Sequence, residues 1–278
     1  MVSYGVSSMF FHEYTSAEIF SFAEQAGLDA IEYWLETPHF WLRGLPVDEV
    51  IACRRAHPRI ASLTVHTPIL DLNPCSINPD VAEVSTGYAV RSIATAEALG
   101  ARVLTVHPGR RTAKRPPGSA DFARFGRYIA ALREAAQKNN LRIAIENMEH
   151  KINFLLCTPE RMRAVLDEEP WLFFTLDTSH ALAQSEEVAL QYIELCADRL
   201  VNVHLSRIDG TTLHRPLDRS LVVARILTAL QDHHFKGSLT LEIEDLTYNR
   251  ALSYEEKIAI LARDCTFMHE CMDQALVL

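Results

Sequence analysis

The residues best equipped for chemistry gather at the end of one stretch, Trp171-Leu172-Phe173-Phe174-Thr175-Leu176-Asp177-Thr178-Ser179-His180. Its apolar, aromatic-rich start reads as a buried strand. Asp177 and His180 follow at once. A carboxylate and an imidazole at the end of a buried strand are costly unless something compensates them. A divalent metal does so, because carboxylate oxygen and neutral imidazole nitrogen are both good ligands. A helix cap does so too, with Asp177 or Thr178 starting the next helix and His180 on its first turn. The local sequence leaves both readings open, and recurrence of the pattern points to the metal. His66, His107, Glu146, His204 and Glu242 each close a short apolar run in the same way, and His214 follows His204 along its loop.

Such residues need elements that deliver them to a common place. Eight apolar runs, at 2–8, 29–35, 60–65, 101–106, 141–145, 171–176, 200–203 and 238–241, read as strands. Amphipathic stretches separate them, with helices expected from Thr15 to Gly27 and over 46–56, 79–99, 120–139, 159–166, 186–196, part of 217–234, and 253–272. Strands apolar throughout, alternating with helices, imply a parallel sheet covered by helices. Eight units in 278 residues predict an α/β fold, a single (β/α)8 TIM barrel with 1–278 as one domain. An open doubly wound sheet competes, but no glycine-rich nucleotide turn follows the first strand. In a parallel barrel the strand ends share one rim, where active sites sit, so ligands scattered over the sequence converge.

Each residue also has a plain explanation. His66 or His107 could be a hydrogen-bonded core histidine, and Glu146 could pair with Arg142. His57, His150, His233, His234 and His269 fall in or beside helices or in loops at the wrong end and read as surface or structural, and His12 as solvated. His39-Phe40-Trp41 forms either a pocket wall or a small satellite hydrophobic cluster.

Composition sets outer bounds. Apolar content of 48% and charged content of 23% describe an ordinary globular chain. A net charge of -9 argues against strong global attraction to nucleic acid, though not against a local basic patch. The six cysteines form no CxxC pair and read as reduced thiols of a cytoplasmic protein. The opening Met1-Val2-Ser3-Tyr4-Gly5 lacks a basic-then-apolar pattern, so no signal peptide is expected, and no apolar run reaches membrane-span length.

The strand ends and the loops after them carry a family resemblance. It is carried by His66 with Pro68-Ile69-Leu70-Asp71-Leu72-Asn73, by Thr105-Val106-His107-Pro108-Gly109 and by Ile145-Glu146-Asn147. Leu176-Asp177-Thr178-Ser179-His180-Ala181, Val203-His204 and Leu241-Glu242 complete it. These segments resemble the xylose-isomerase-like TIM barrels, over essentially the whole chain. That group includes sugar isomerases and epimerases and the endonuclease IV-type apurinic-site nucleases (AP endonuclease family 2).

In the epimerase branch the resemblance implies one divalent ion held by Glu146, Asp177, His204 and Glu242. Glu146 and Glu242 would act as base and acid on opposite faces of a sugar, with the ion stabilising an enediolate. In the nuclease branch it implies three zinc ions, held by His66, His107 and Glu146, by the four residues above, and by His180, an Asp and His214. Thr212 occupies that Asp position, so the third set is expected to be incomplete unless Asp209 substitutes. Gly5-Val6-Ser7-Ser8 also lacks that branch's opening histidine motif, and Ile69 stands where it has a DNA-wedging aromatic. Arg110, Arg111, Lys114 and Arg115, with Arg207, Arg215 and Arg219, either grip a phosphate or form a solvated rim.

The resulting expectation is a metal-dependent sugar or sugar-phosphate isomerase or epimerase. An apurinic-site phosphodiesterase and a non-catalytic metal- or ligand-binding barrel are the alternatives. The histidines favour Mn or Zn over Mg, with Co also compatible, as one to three ions. Glu32, Trp41, Arg110 and Arg207 are the expected substrate contacts. A small sugar or sugar phosphate is expected ahead of nucleic acid, no membrane partner is expected, and the loop around Trp41 offers a surface for a homo-oligomer.

Overall fold

The computed structural model describes residues 2–136 and 140–273. β1 (Ser3–Ser7) leads to α1 (Ser16–Gln25), which starts where the sequence marks it. Thr15 Oγ1 accepts from the Glu18 amide, and the Glu18 carboxylate accepts from the Thr15 amide in return. β2 (Ala30–Trp34), α2 (Pro38–Trp41), α3 (Val47–Ala56), β3 (Ser62–His66), α4 (Pro79–Ala98) and β4 (Val103–Val106) follow. Next come α5 (Ser119–Ala136), β5 (Arg142–Glu146), α6 (Pro159–Glu168), β6 (Phe173–Asp177), α7 (Thr178–Leu182) and α8 (Glu186–Cys196). The chain continues through β7 (Leu200–Leu205), β8 (Arg207–Asp209), β9 (Thr212–Arg215), α9 (Leu221–Asp232), β10 (Ser238–Leu241) and α10 (Tyr254–Asp273).

Eight strands close on themselves in the order β1-β10-β7-β6-β5-β4-β3-β2, every pair parallel. This is the (β/α)8 barrel that the alternation requires. Helices seal its outside through apolar stripes: α9 buries Val223, Ile226, Leu227 and Leu230, spaced to share one face. Each such side chain contributes roughly 1.5–3 kcal/mol on burial. The register keeps the strand ends level, with Asp177 opposite His204, Glu146 opposite Thr175 and His66 opposite Thr105.

Two segments differ from a plain alternation. The aromatic stretch after β2 folds as α2, with Pro38 in its first turn. Phe40 is buried against Tyr33 at 4.9 Å between ring centres, and Trp41 packs on Tyr88 at 5.3 Å. After β7 the chain forms an antiparallel hairpin, β8 with β9, turning through Gly210 at φ +59°. Asp209-Gly210 is a hairpin signal, but strands of three and four residues are too short to show an alternation. Residues 137–139, at the expected end of the helix before the fifth strand, lie outside the described residues. All six cysteines are free thiols. Among the described residues no helix is long and apolar enough to cross a membrane.

Candidate metal centre

Three groups of possible ligands form a continuous chain across the barrel mouth. His66, His107 and Glu146 make the first; Glu146, Asp177, His204 and Glu242 the second; Asp177, His180 and His214 the third. Within each group one ligand atom per residue lies within 4.8 Å of the others, and Glu146 and Asp177 are shared. Glu146 Oε2 is 3.3 Å from His66 Nε2, 3.2 Å from His107 Nε2 and 3.5 Å from His204 Nδ1. Its Oε1 is 3.3 Å from His180 Nδ1. Glu242 Oε2 lies 2.9 Å from His204 Nδ1, and His214 Nδ1 lies 3.9 Å from Asp177 Oδ2.

Backbone-directed hydrogen bonds aim these side chains. Asn147, the residue after Glu146, donates from Nδ2 to the Asp177 carbonyl at 2.9 Å and accepts from the Asp177 amide at 2.7 Å. Its own carbonyl is 3.0 Å from His180 Nδ1, so His180 keeps Nε2 for a ligand. Thr178 Oγ1 ties β6 to β7 by donating to Ser206 O at 2.8 Å and accepting from the Ser206 amide. His66 Nδ1 meets the Thr67 carbonyl at 2.8 Å, which leaves Nε2 toward Glu146. Asp177 Oδ1 accepts from the His180 amide at 2.7 Å and so caps α7, while Oδ2 turns into the cluster.

The donor set fits a divalent cation. Asp177 Oδ2, His204 Nδ1 and Glu242 Oε2 are buried with no hydrogen-bond partner among the described residues. Lone pairs of carboxylates and imidazoles converging without donors suit a metal, because leaving buried polar atoms unmatched costs about 1–3 kcal/mol each. Burial pushes the Glu146 carboxyl up, but the His107 and His204 rings hold it well below the usual carboxylate range. Burial raises Glu242, with Asp177 adding to it, against the pull of His204. His180, although buried, is held up to about 10 by Asp177 and Glu146, and His204 is raised well above its ordinary value by Glu242 and Glu32. Burial pushes His107 down.

A family-wide sequence profile described as "Xylose isomerase-like TIM barrel" matches residues 20–264. The chain belongs to the xylose isomerase-like TIM barrel family. It is 31% identical to the uncharacterized protein MJ1188 of Methanocaldococcus jannaschii over 271 residues, 96% of this chain and 98% of that one. The structure of an L-ribulose 3-epimerase superposes with a TM-score of 0.81 at 18% identity, covering 99% of this chain and 96% of the other. Endonuclease IV from Thermus thermophilus superposes with a TM-score of 0.70 at 19% identity, over 96% and 99%. At these identities the two likenesses are of fold.

Within this family barrel, the eight sequence-derived ligand candidates all meet at the mouth. Thr212 brings no carboxylate to the third group; the one grouped with His180 and His214 is Asp177, shared with the second group. Glu32 is a correction. Expected at the substrate, it is fully buried beneath the cluster, 2.7 Å from His204 Nε2. Arg207, expected at the substrate, has a guanidinium that donates to Asp218 at 2.6 Å and to the Ile208 carbonyl. Arg110 lines a cavity of about 50 Å³ together with His107, Ile69, Leu72 and Phe154. The Gly109 before it sits at φ +81°, where a Cβ would come within 2.9 Å of Asn73 Oδ1. Trp41 is half-buried against Tyr88 on α4 and is absent from that cavity's lining. Asn147 and Thr178 are the supports that sequence reasoning missed, because an amide or hydroxyl after a strand looks like any turn residue.

Proposed function

We propose that the protein is a metal-dependent isomerase or epimerase acting on a small sugar or sugar phosphate. The observation that carries this reading is the meeting of Glu146 and Glu242 in one four-ligand group with Asp177 and His204. The two carboxylates arrive from β5 and β10, which β6 and β7 separate in the barrel. They therefore flank the space between them. A divalent ion held by the group supplies Lewis-acid stabilisation of negative charge developing on neighbouring substrate oxygens. Glu146 takes a carbon-bound proton from one side, and Glu242 returns one from the other, which inverts a carbon. Return to the neighbouring carbon interconverts aldose and ketose.

The rim charges support a small substrate. Arg207 is matched by Asp218, Arg219 by Glu270 and Arg111 by Asp121. Fold likeness to an L-ribulose 3-epimerase points the same way. The test is exchange of a ketose's carbon-bound hydrogen with deuterated water in the presence of Mn2+ or Co2+. Exchange lost in Glu146→Gln supports the reading; no exchange across a panel of ketoses and ketose phosphates contradicts it.

A second reading has its own observation. The flanking groups, His66 with His107 and His180 with His214, offer places for further ions, as a phosphodiesterase uses. That enzyme would nick an abasic duplex and bind it with a steep salt dependence. A non-catalytic binder would take up metal and do neither.

A further inference from the structure

Beneath the ligand groups lies a polar layer that no proposed chemical step uses. Glu32 of β2 is its centre, with 0% of its surface exposed. Its Oε2 accepts from Thr64 Oγ1 at 2.9 Å and from Asn202 Nδ2 at 2.7 Å. Asn202 Oδ1 accepts in turn from Thr240 Oγ1 at 3.0 Å, and Asn202 Nδ2 also reaches Thr105 Oγ1 at 3.3 Å. Thr105 and Thr175 share a hydroxyl contact of 3.0 Å. These residues come from β2, β3, β4, β6, β7 and β10, so the layer spans the barrel interior.

Barrel interiors are ordinarily filled by bulky branched side chains. A carboxylate sealed there is costly unless it is paired and hydrogen-bonded. Glu32 Oε1 lies 2.7 Å from His204 Nε2, within ion-pair distance, and neither atom has a hydrogen-bond partner among the described residues. The other ring nitrogen, Nδ1, faces Glu242 and Glu146 at 2.9 and 3.5 Å. An imidazole can present a lone pair on one nitrogen only when its proton is held on the other, and a carboxylate behind a ligating histidine does that.

We propose that Glu32 is a positioning residue of the metal centre: it holds the His204 ring proton on Nε2 and so presents Nδ1 to a divalent cation. Thr64 and Asn202 fix the Glu32 carboxylate, and Thr240 and Thr105 fix Asn202. Glu32 touches no substrate. The inference rests on the reading that Glu146, Asp177, His204 and Glu242 take a divalent ion.

The test titrates Zn2+ into chelator-stripped full-length protein. Glu32→Gln keeps the side-chain size and removes the charge behind His204; its affinity at the ion lost in His204→Gln is expected to fall about 10- to 100-fold. Thr64→Val is expected to give a smaller loss in the same direction. On the Zn2+-loaded wild type, nitrogen-15 NMR of the ring assigned by His204→Gln is expected to show the proton on Nε2. That reading needs no variant of Glu32, so it decides even if Glu32→Gln fails to fold. Wild-type affinity in Glu32→Gln, or a proton on Nδ1, overturns the proposal alone. A wild-type protein that takes up no Zn2+ overturns the metal reading and the proposal with it.

Discussion

Asp177 meets two demands with two oxygens. Oδ1 caps α7 through the His180 amide, and Oδ2 faces His214. Cap and candidate ligand, which the sequence presents as alternatives, are compatible in the same side chain. Asp177→Asn separates them, because Asn caps helices about as well as Asp. The stripped variant is expected to keep the α7 cap while losing the Asp177 charge that holds His180 up. Its metal affinity, by titration, is expected to fall at least about 10-fold, the scale of even an outer-shell loss. Glu146→Gln is expected to slow hydrogen exchange into substrate by about 10²- to 10⁴-fold, the range for losing a positioned base.

His180 adds a pH dependence at the same scale. Burial opposes its charge, but Asp177 and Glu146 hold it up to about 10. Its contribution to the stability of the stripped protein is therefore full below about 6.5 and lost as pH rises through about 10. A bound ion needs the ring nitrogen unprotonated. Metal uptake should release protons, and apparent affinity should rise with pH over that window. Titration calorimetry in buffers of different ionisation enthalpy reads this directly; uptake independent of buffer would contradict it. The eight ligand candidates were legible in the sequence because each closes or follows an apolar run. Glu32 was misread because it lies within β2 rather than at its end, and its burial and its contact with His204 Nε2 place it beneath the mouth.

Elements carry the alignment of the site. Asn147 clamps β5 to β6 through both the amide and the carbonyl of Asp177. Asn147→Ala leaves these buried groups unmatched and is expected to cost about 1–3 kcal/mol, read as a lower denaturant midpoint with an unchanged slope. An unchanged midpoint would show that the clamp is dispensable. The main helices and strands were readable from periodicity and caps. Thr15 with Glu18 marked one helix start, and 186–196 and 238–241 match α8 and β10 to the residue. The β8–β9 hairpin was not read, although His214, which it carries, was placed on the loop after His204. A two-stranded piece of seven residues has no periodicity to find, and only Asp209-Gly210 signalled it.

At the scale of the whole molecule, barrel closure brings ligands from residues 66 to 242 into one cluster. An ion bound there stabilises the folded chain over the unfolded one, by about 4 kcal/mol at a thousandfold excess over Kd. For a chain of this size, stripping the metal should lower Tm on the order of 10 °C. The acidic net charge of -9 and the Arg207–Asp218 and Arg219–Glu270 pairs imply that affinity for a neutral sugar varies little with salt. The convergence itself was legible once eight alternating units were counted; the sharing of Asp177 between two ligand groups was not, since spacing along the chain does not give distances across a barrel. Anomalous scattering from crystals grown with Zn2+ or Mn2+ tests the metal centre most directly. The expected result is a peak about 2.0–2.2 Å from ligand atoms of Glu146, Asp177, His204 and Glu242. A metal-saturated crystal with no peak there, and with those side chains tied only to one another, would contradict it.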